Sequence, residues 1–143
     1  MNKRKMAVDP GESRIGIAMS DLTGTISSPH SVVRHVSRTV DAAVIAQIAE
    51  ENDVAEIIIG LALDVSGEQG PQARKANRLA EAVRSQTVIP VIMWDESHST
   101  QIASETQHLL NFGQRKRHEN IDAMAAAVIL QAYLDNMNDR KEN

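Results

Sequence analysis

Residues 56–61 read Glu-Ile-Ile-Ile-Gly-Leu, a nearly unbroken apolar run. A strand with one wet face alternates apolar and polar side chains. A run without alternation belongs to a strand covered on both faces. Such a strand needs helices above and below it, which narrows the chain to a layered α/β fold.

Helical spacing supplies those layers. Over residues 40–51, Val40, Val44, Ile45 and Ile48 share one face. Gly60–Gly70 is a loop with three glycines, and Pro71 can occupy the first position of the helix that follows. Ala73, Ala76, Leu79, Ala80 and Val83 give that helix a face of mostly small residues. A third helix is expected near 99–112, with Ile102, Thr106, Leu109 and Leu110 inward and Gly113 as its stop signal. The last should run from about Ile121 to Asn136, capped by Asn120, with Met124, Ala125, Val128 and Ala132 toward the core. Residues 137–143 read as a polar, flexible tail.

Four further segments read as strands. Residues 5–9 form a short strand ending in Asp9, and Pro10-Gly-Glu-Ser is turn chemistry. Residues 14–20 alternate, with Ile15, Ile17 and Met19 on one face and Gly16, Ala18 and Ser20 on the other. Ser31–His35 and Val88–Trp94 complete the set. The order is β-β-β-α-β-α-β-α-α. It predicts one domain over residues 1–143, with a five-stranded mixed sheet whose first three strands form an antiparallel meander and with helices on both faces.

Composition sets limits on function. There is no cysteine, so disulfides and thiolate metal sites are excluded. Aromatic residues are 2% of the chain, only Trp94, Phe112 and Tyr133, which leaves no stacking platform for reading single-stranded bases. The net charge of −4 argues against a protein that coats nucleic acid over its whole surface. A cluster of metal-binding carboxylates is itself acidic, and basic patches can be local. No apolar stretch of signal-peptide length follows the basic start, and no run is long enough to span a membrane, so a soluble cytoplasmic protein is expected.

Chemistry-bearing acids gather at element ends. Asp9 ends the first strand, Asp95 and Glu96 end the last strand, and Asp122 stands in the first turn of the last helix. Parallel first and last strands would bring these acids to one sheet edge, where open α/β sheets bind ligands. Carboxylates gathered without cations repel one another, and a hard divalent ion such as Mg²⁺ or Mn²⁺ relieves this through oxygen ligands. Each acid also has an ordinary reading. Asp9-Pro-Gly suits a plain hairpin turn, Asp122 a first-turn acid favoured by the helix dipole, and Asp95-Glu96 solvated residues before a helix.

Two groups of cations could contact phosphates. Arg115-Lys-Arg-His precedes Asp122, with Arg115, Lys116 and Arg117 its permanent charges. Arg74, Lys75 and Arg78 follow the glycine loop, where a solvated helix face is an equally good account.

Four blocks carry a resemblance. Asp9-Pro-Gly-Glu-Ser-Arg-Ile-Gly-Ile-Ala-Met-Ser-Asp is similar to the D-x-G-x-x-R-x-G-x-A-x-S-D opening of the YqgF/RuvX family. Gly60-Leu-Ala-Leu-Asp-Val-Ser-Gly-Glu-Gln-Gly resembles its glycine loop, Asp95-Glu-Ser-His-Ser-Thr its D-E-R-L-T-T segment, and Ile121-Asp-Ala-Met-Ala-Ala its closing I-D-x-x-A-A helix. The blocks occur in family order over nearly the whole chain. The resemblance implies a ribonuclease H-like fold and a metal-dependent nuclease. Members are linked to maturation of the 5′ end of pre-16S ribosomal RNA, and through similarity to RuvC to resolution of Holliday junctions. It also implies that Asp9, Glu96 and Asp122 form the acidic set and that Arg14 is the arginine of the first motif. The chain departs from the pattern at Ala62 for proline, Ser97 for arginine and His98 for leucine. An arginine at position 97 could grip a phosphate through two hydrogen bonds; a serine cannot.

The leading expectation is therefore a Mg²⁺- or Mn²⁺-dependent phosphodiesterase acting on pre-16S rRNA or a pre-ribosomal particle. The alternatives are the same chemistry on branched DNA and a non-catalytic RNA-binding assembly factor. The sequence leaves monomer and homodimer both open. Asp9-x-Gly followed by Arg-x-Gly is also similar to the phosphate loop of sugar-kinase and actin-like ATPases, whose second domain has no counterpart expected in 143 residues.

Overall fold

The computed structural model describes residues 4–61, 67–95 and 117–142, with side chains of the last helix described from 121 to 139. Strands β1 (Arg4–Pro10), β2 (Arg14–Ser20) and β3 (Ser27–Arg34) precede helix α1 (Arg38–Glu51). Strand β4 (Val54–Leu61), helix α2 (Pro71–Arg84), strand β5 (Val91–Asp95) and helix α3 (Arg117–Glu142) follow. The five strands form one sheet in the order β3-β2-β1-β4-β5. β1 pairs antiparallel with β2, and β2 with β3. β1–β4 and β4–β5 are parallel. The expected mixed sheet with an antiparallel meander is the one observed, and β1 and β5 do run in one direction. The expected helix at 99–112 lies outside the described residues.

Alternation along the strands divides the core into two layers. Met6 and Val8 of β1, Ile15, Ile17 and Met19 of β2, and Ile57 and Ile59 of β4 pack on one face with Ala42, Ile45 and Ala49 of α1 and Ala76, Leu79, Ala80 and Val83 of α2. Ala7, Ala18 and Ile58 point the other way, against Ala126, Ala127, Leu130, Tyr133 and Leu134 of α3. Ile57, Ile58 and Ile59 are all fully buried, which explains why the run at 56–61 does not alternate.

Several local expectations need correction. α1 begins at Arg38, where Ser37 accepts a hydrogen bond from the Val40 backbone N–H, and Val40 is exposed. The face it buries carries alanines because α1 lies against α2 as well as the sheet. β3 starts four residues earlier than expected, at Ser27, and β5 starts at Val91. Val88 is exposed, and Pro90, which lacks an N–H to donate to a ladder, precedes the strand. α3 begins at Arg117, so Asn120 is inside the helix rather than its cap, and the helix continues through 137–142. Asn138 donates to the Gly24 carbonyl at 3.3 Å, and Met137 packs beside the α3 core. Ala123, Ala126, Ala127 and Leu130 are buried, while Met124, Ala125, Val128 and Ala132 sit at the margins of the contact. α3 is apolar around most of its circumference, so hydrophobicity alone does not select its packed side.

Candidate active site

The C-terminal end of β1 and the N-terminal part of α3 build the site together. Asp9 follows Val8, which faces α1 and α2, so strand alternation turns Asp9 to the α3 face. Its cross-strand partner is Gly16. At Gly16 the backbone of α3 comes so close that a Cβ would lie 2.0 Å from the Asp122 carbonyl oxygen. A residue with no side chain on β2 thus lets α3 bring Asp122 down beside Asp9. The turn before it is tight as well: Gly11 N–H donates to the Arg14 carbonyl at 2.9 Å.

The electrostatics reflect this crowding. Burial, and after it the negative charge of Asp122, push the Asp9 carboxyl up from 3.8 to about 6. Arg14 Nε lies 2.8 Å from Asp122 Oδ2, so one acid does have a cationic neighbour, contrary to the expectation of carboxylates without one. Yet Oδ2 is buried and accepts no hydrogen bond. The contact is a Coulombic one whose N–H is not aimed at the oxygen. Asp9 and Asp122 bring carboxylate oxygens together, with Arg14 beside them and one Asp122 oxygen that accepts no hydrogen bond, and oxygen ligands of this kind suit a hard divalent cation. The residues present therefore fit a metal. Among the described residues, no group of three or more acids or histidines is close enough to form a complete metal cage. Glu96, the third expected ligand, lies outside the described residues, as do Ser97 and His98. Asp95, which precedes it, pairs with Leu61 at the C-terminal end of β5.

The basic residues are distributed around both faces. Arg14 stands in the site. Arg115 and Lys116 lie outside the described residues, and Arg117 opens α3. Arg74 donates to the Gln69 carbonyl at 3.0 Å. Lys75 lines a cleft of about 260 Å³ with Pro10, Gly11, His35, Arg38 and Asp41. That cleft adjoins the same end of β1 but opens on the α1–α2 face, away from Asp9 and Asp122.

Two features escaped the sequence reading. Asp41 is buried and accepts from Val36 N–H at 3.0 Å and pairs with His35 Nδ1, which ties the end of β3 to the first turn of α1. Arg34 is the cross-strand partner of Arg14. The first could have been suspected from an acid in a helix's first turn. The second depends on strand register, which residue types at the end of β3 do not reveal.

A family model described as RuvX, Holliday junction resolvase, matches residues 3–136. Proteins named "Putative pre-16S rRNA nuclease" are similar over nearly their whole length. That of Thermoanaerobacter pseudethanolicus is 38% identical, covering 96% of this chain and 99% of the relative. That of Anaeromyxobacter sp. is 39% identical, covering 92% and 96%. Among solved structures, Thermus thermophilus RuvC in complex with a Holliday junction substrate matches with a TM-score of 0.60 at 15% identity, over 94% of this chain and 96% of that one. The fowlpox virus resolvase bound to Holliday junction DNA gives 0.51 at 11% identity, over 94% and 98%. These likenesses establish the ribonuclease H-like fold. No helix among the described residues is long and apolar enough to cross a membrane.

Proposed function

The chain belongs to the RuvX family, and from that premise we propose that it is a divalent-metal-dependent nuclease that hydrolyses phosphodiester bonds in 5′-end processing of pre-16S rRNA. The observation that carries this reading is the juxtaposition of Asp9 and Asp122 on one face, with a buried Asp122 oxygen that accepts no hydrogen bond. Asp9, Asp122 and Glu96 are the proposed ligands of Mg²⁺ or Mn²⁺. A divalent ion held there supplies the Lewis acidity that polarises the phosphodiester and activates water. Ionisation of Asp9, opposed by burial and by Asp122, is favoured by a neighbouring cation. Arg14 offsets part of the Asp122 charge and so holds that carboxylate in place. Arg115, Lys116 and Arg117, together with Arg74 and Lys75 of α2, are the proposed phosphate contacts along a longer substrate.

Asp9→Asn tests the assignment. The variant should stay folded and lose Mg²⁺- or Mn²⁺-dependent cleavage of a precursor 16S fragment; retained cleavage would refute it. The family description and the RuvC-like fold favour a second reading, resolution of branched DNA. That reaction needs two symmetric nicks and hence a homodimer. Cleavage of a four-way junction in preference to the rRNA fragment, by a dimeric protein, would select it.

A further inference from the structure

Arg14 and Arg34 sit directly opposite each other on β2 and β3. Their neighbours in register, Ile15 and Val33, pack toward α1 and α2, so both arginines belong to the α3 face that also carries Asp122. Like charges directly opposite in an antiparallel pair are unfavourable. One of the two is relieved by Asp122. Arg34 is exposed and, among the described residues, has no carboxylate partner. Between them opens a cleft of about 350 Å³ lined by Ser13, Arg14, Val32 and Arg34. Two residues of strand, roughly 7 Å, separate Arg14 from Gly16, where Asp122 meets the sheet. A cross-strand pair of guanidinium groups, of which only Arg14 is paired with a carboxylate, flanks a polar cleft with room and charge for one further anion.

We propose that Arg34, together with Arg14, holds a backbone phosphate of the nucleic-acid strand beside the carboxylate site. The assignment rests on the nuclease reading and adds a substrate contact outside the four sequence blocks. Guanidinium forks match phosphate oxygens in geometry, and two of them on one anion orient it. The phosphate in this cleft belongs to the strand next to the bond cut, so it fixes the register of that strand against Asp9 and Asp122. The contact reads the backbone and carries no base sequence. It also supplies, from β3, some of the grip on phosphate that a serine at position 97 cannot provide.

The test is equilibrium binding without cleavage. Fluorescence anisotropy of the Asp9→Asn protein in EDTA, with a labelled single-stranded RNA and a DNA of the same sequence, is compared with that of the Asp9→Asn/Arg34→Ala protein. Arg34→Ala should weaken binding of both strands about five- to tenfold and lower the slope of log K against log salt by about 1. Arg34→Lys should restore the slope. Thermal unfolding of Arg34→Ala at low salt should be unchanged or raised, because a like-charge pair is removed. Unchanged affinity and slope would overturn the proposal, as would a loss confined to RNA. So would a loss accompanied by a lowered melting temperature that Arg34→Lys leaves unrepaired, since that is a folding effect. Failure of the nuclease reading shows up separately, as cleavage that persists in Asp9→Asn with Arg34 intact.

Discussion

Helix α3 crosses the sheet and meets polar groups at both ends, and the two ends are treated differently. Toward the start of β1, one oxygen of Glu56 has both a hydrogen-bond donor and a cation beside it. Tyr133 donates its hydroxyl to Glu56 Oε1 at 2.6 Å, and Lys5 Nζ lies 3.7 Å from the same oxygen. Lys5 also sits 5.6 Å from the centre of the Tyr133 ring, and Trp94 packs edge-on against that ring at 5.9 Å. Toward the end of β1, Asp9 is pushed toward neutrality, Asp122 has a buried oxygen without a donor, and Arg14 faces Arg34. One end closes its charges among itself, while the other leaves both an anionic and a cationic surplus within one face. A chain that can satisfy charge in one place and does not in another has kept the second for something it binds.

Replacing Asp9 should break that contrast most strongly. Asp9→Asn should lower metal-dependent cleavage more than about a hundredfold, since even changes around a ligand cost 10- to 100-fold. The same change should stabilise the metal-free protein at neutral pH. The Asp9 carboxyl is raised in the folded state from 3.8 to about 6. The folded protein therefore holds the proton more tightly than the unfolded chain. Stability is highest below the unfolded value and falls as pH rises through this window, by up to ~3 kcal/mol. Urea unfolding in EDTA at pH 4 and pH 7.5 should show this fall in the parent and its absence in Asp9→Asn. Equal pH dependence in both would mean that the crowding at this end is not real.

Gly16→Ala should follow in size, because it attacks the approach that brings the two acids together. The new methyl would lie 2.0 Å from the Asp122 carbonyl, so backbone must move. Overpacking of this kind costs ~1–3 kcal/mol or more. Cleavage should fall along with melting temperature, whereas loss of stability with full activity would show that Asp122 does not depend on that approach.

Much of this was legible beforehand, for definite reasons. The alternation of Ile15, Ile17 and Met19 against Gly16, Ala18 and Ser20 marked the two faces of β2, because strand periodicity is two and each face meets a different layer. All five residues expected inward on α2 are buried, because that helix has a polar side to contrast with them. α3 has no such contrast. Its packed side carries Ala123, Ala126 and Ala127 near its start and Leu130, Tyr133 and Leu134 farther along, while Ala125 and Ala132 lie at the margin, a mixture that apolar patterning does not resolve. α1 misled for a related reason: Val40 reads as core, but contact with both α2 and the sheet favours alanine. The Arg14–Arg34 pair was out of reach altogether. It depends on the register of β3, which shifts at a bulge between Ile17 and Ala18. Pro29, which cannot donate to a ladder, lies at that bulge, but residue types alone do not say where the extra residue falls.

The closed end supplies the control. Tyr133→Phe removes one hydrogen bond to Glu56 and keeps the ring on Trp94, so it should cost ~1–2 kcal/mol with cleavage intact. Lys5→Met should cost less. The Lys5–Glu56 pair is partly exposed and separated by 3.7 Å, and the ammonium lies 5.6 Å from the Tyr133 ring centre, near the outer limit for a cation–π contact. A loss of at most ~1 kcal/mol is expected, most of it gone in 1 M salt, where a partly exposed ion pair is screened. The neutral hydroxyl donor would then be the main restraint on Glu56 and the lysine a minor one. If Lys5→Met instead cost more than Tyr133→Phe, or its cost persisted in high salt, Lys5 would be the principal neutraliser of Glu56. The closed end would then depend on a single ion pair, and its difference from the Asp9 end would be one of charge balance rather than of hydrogen-bond closure.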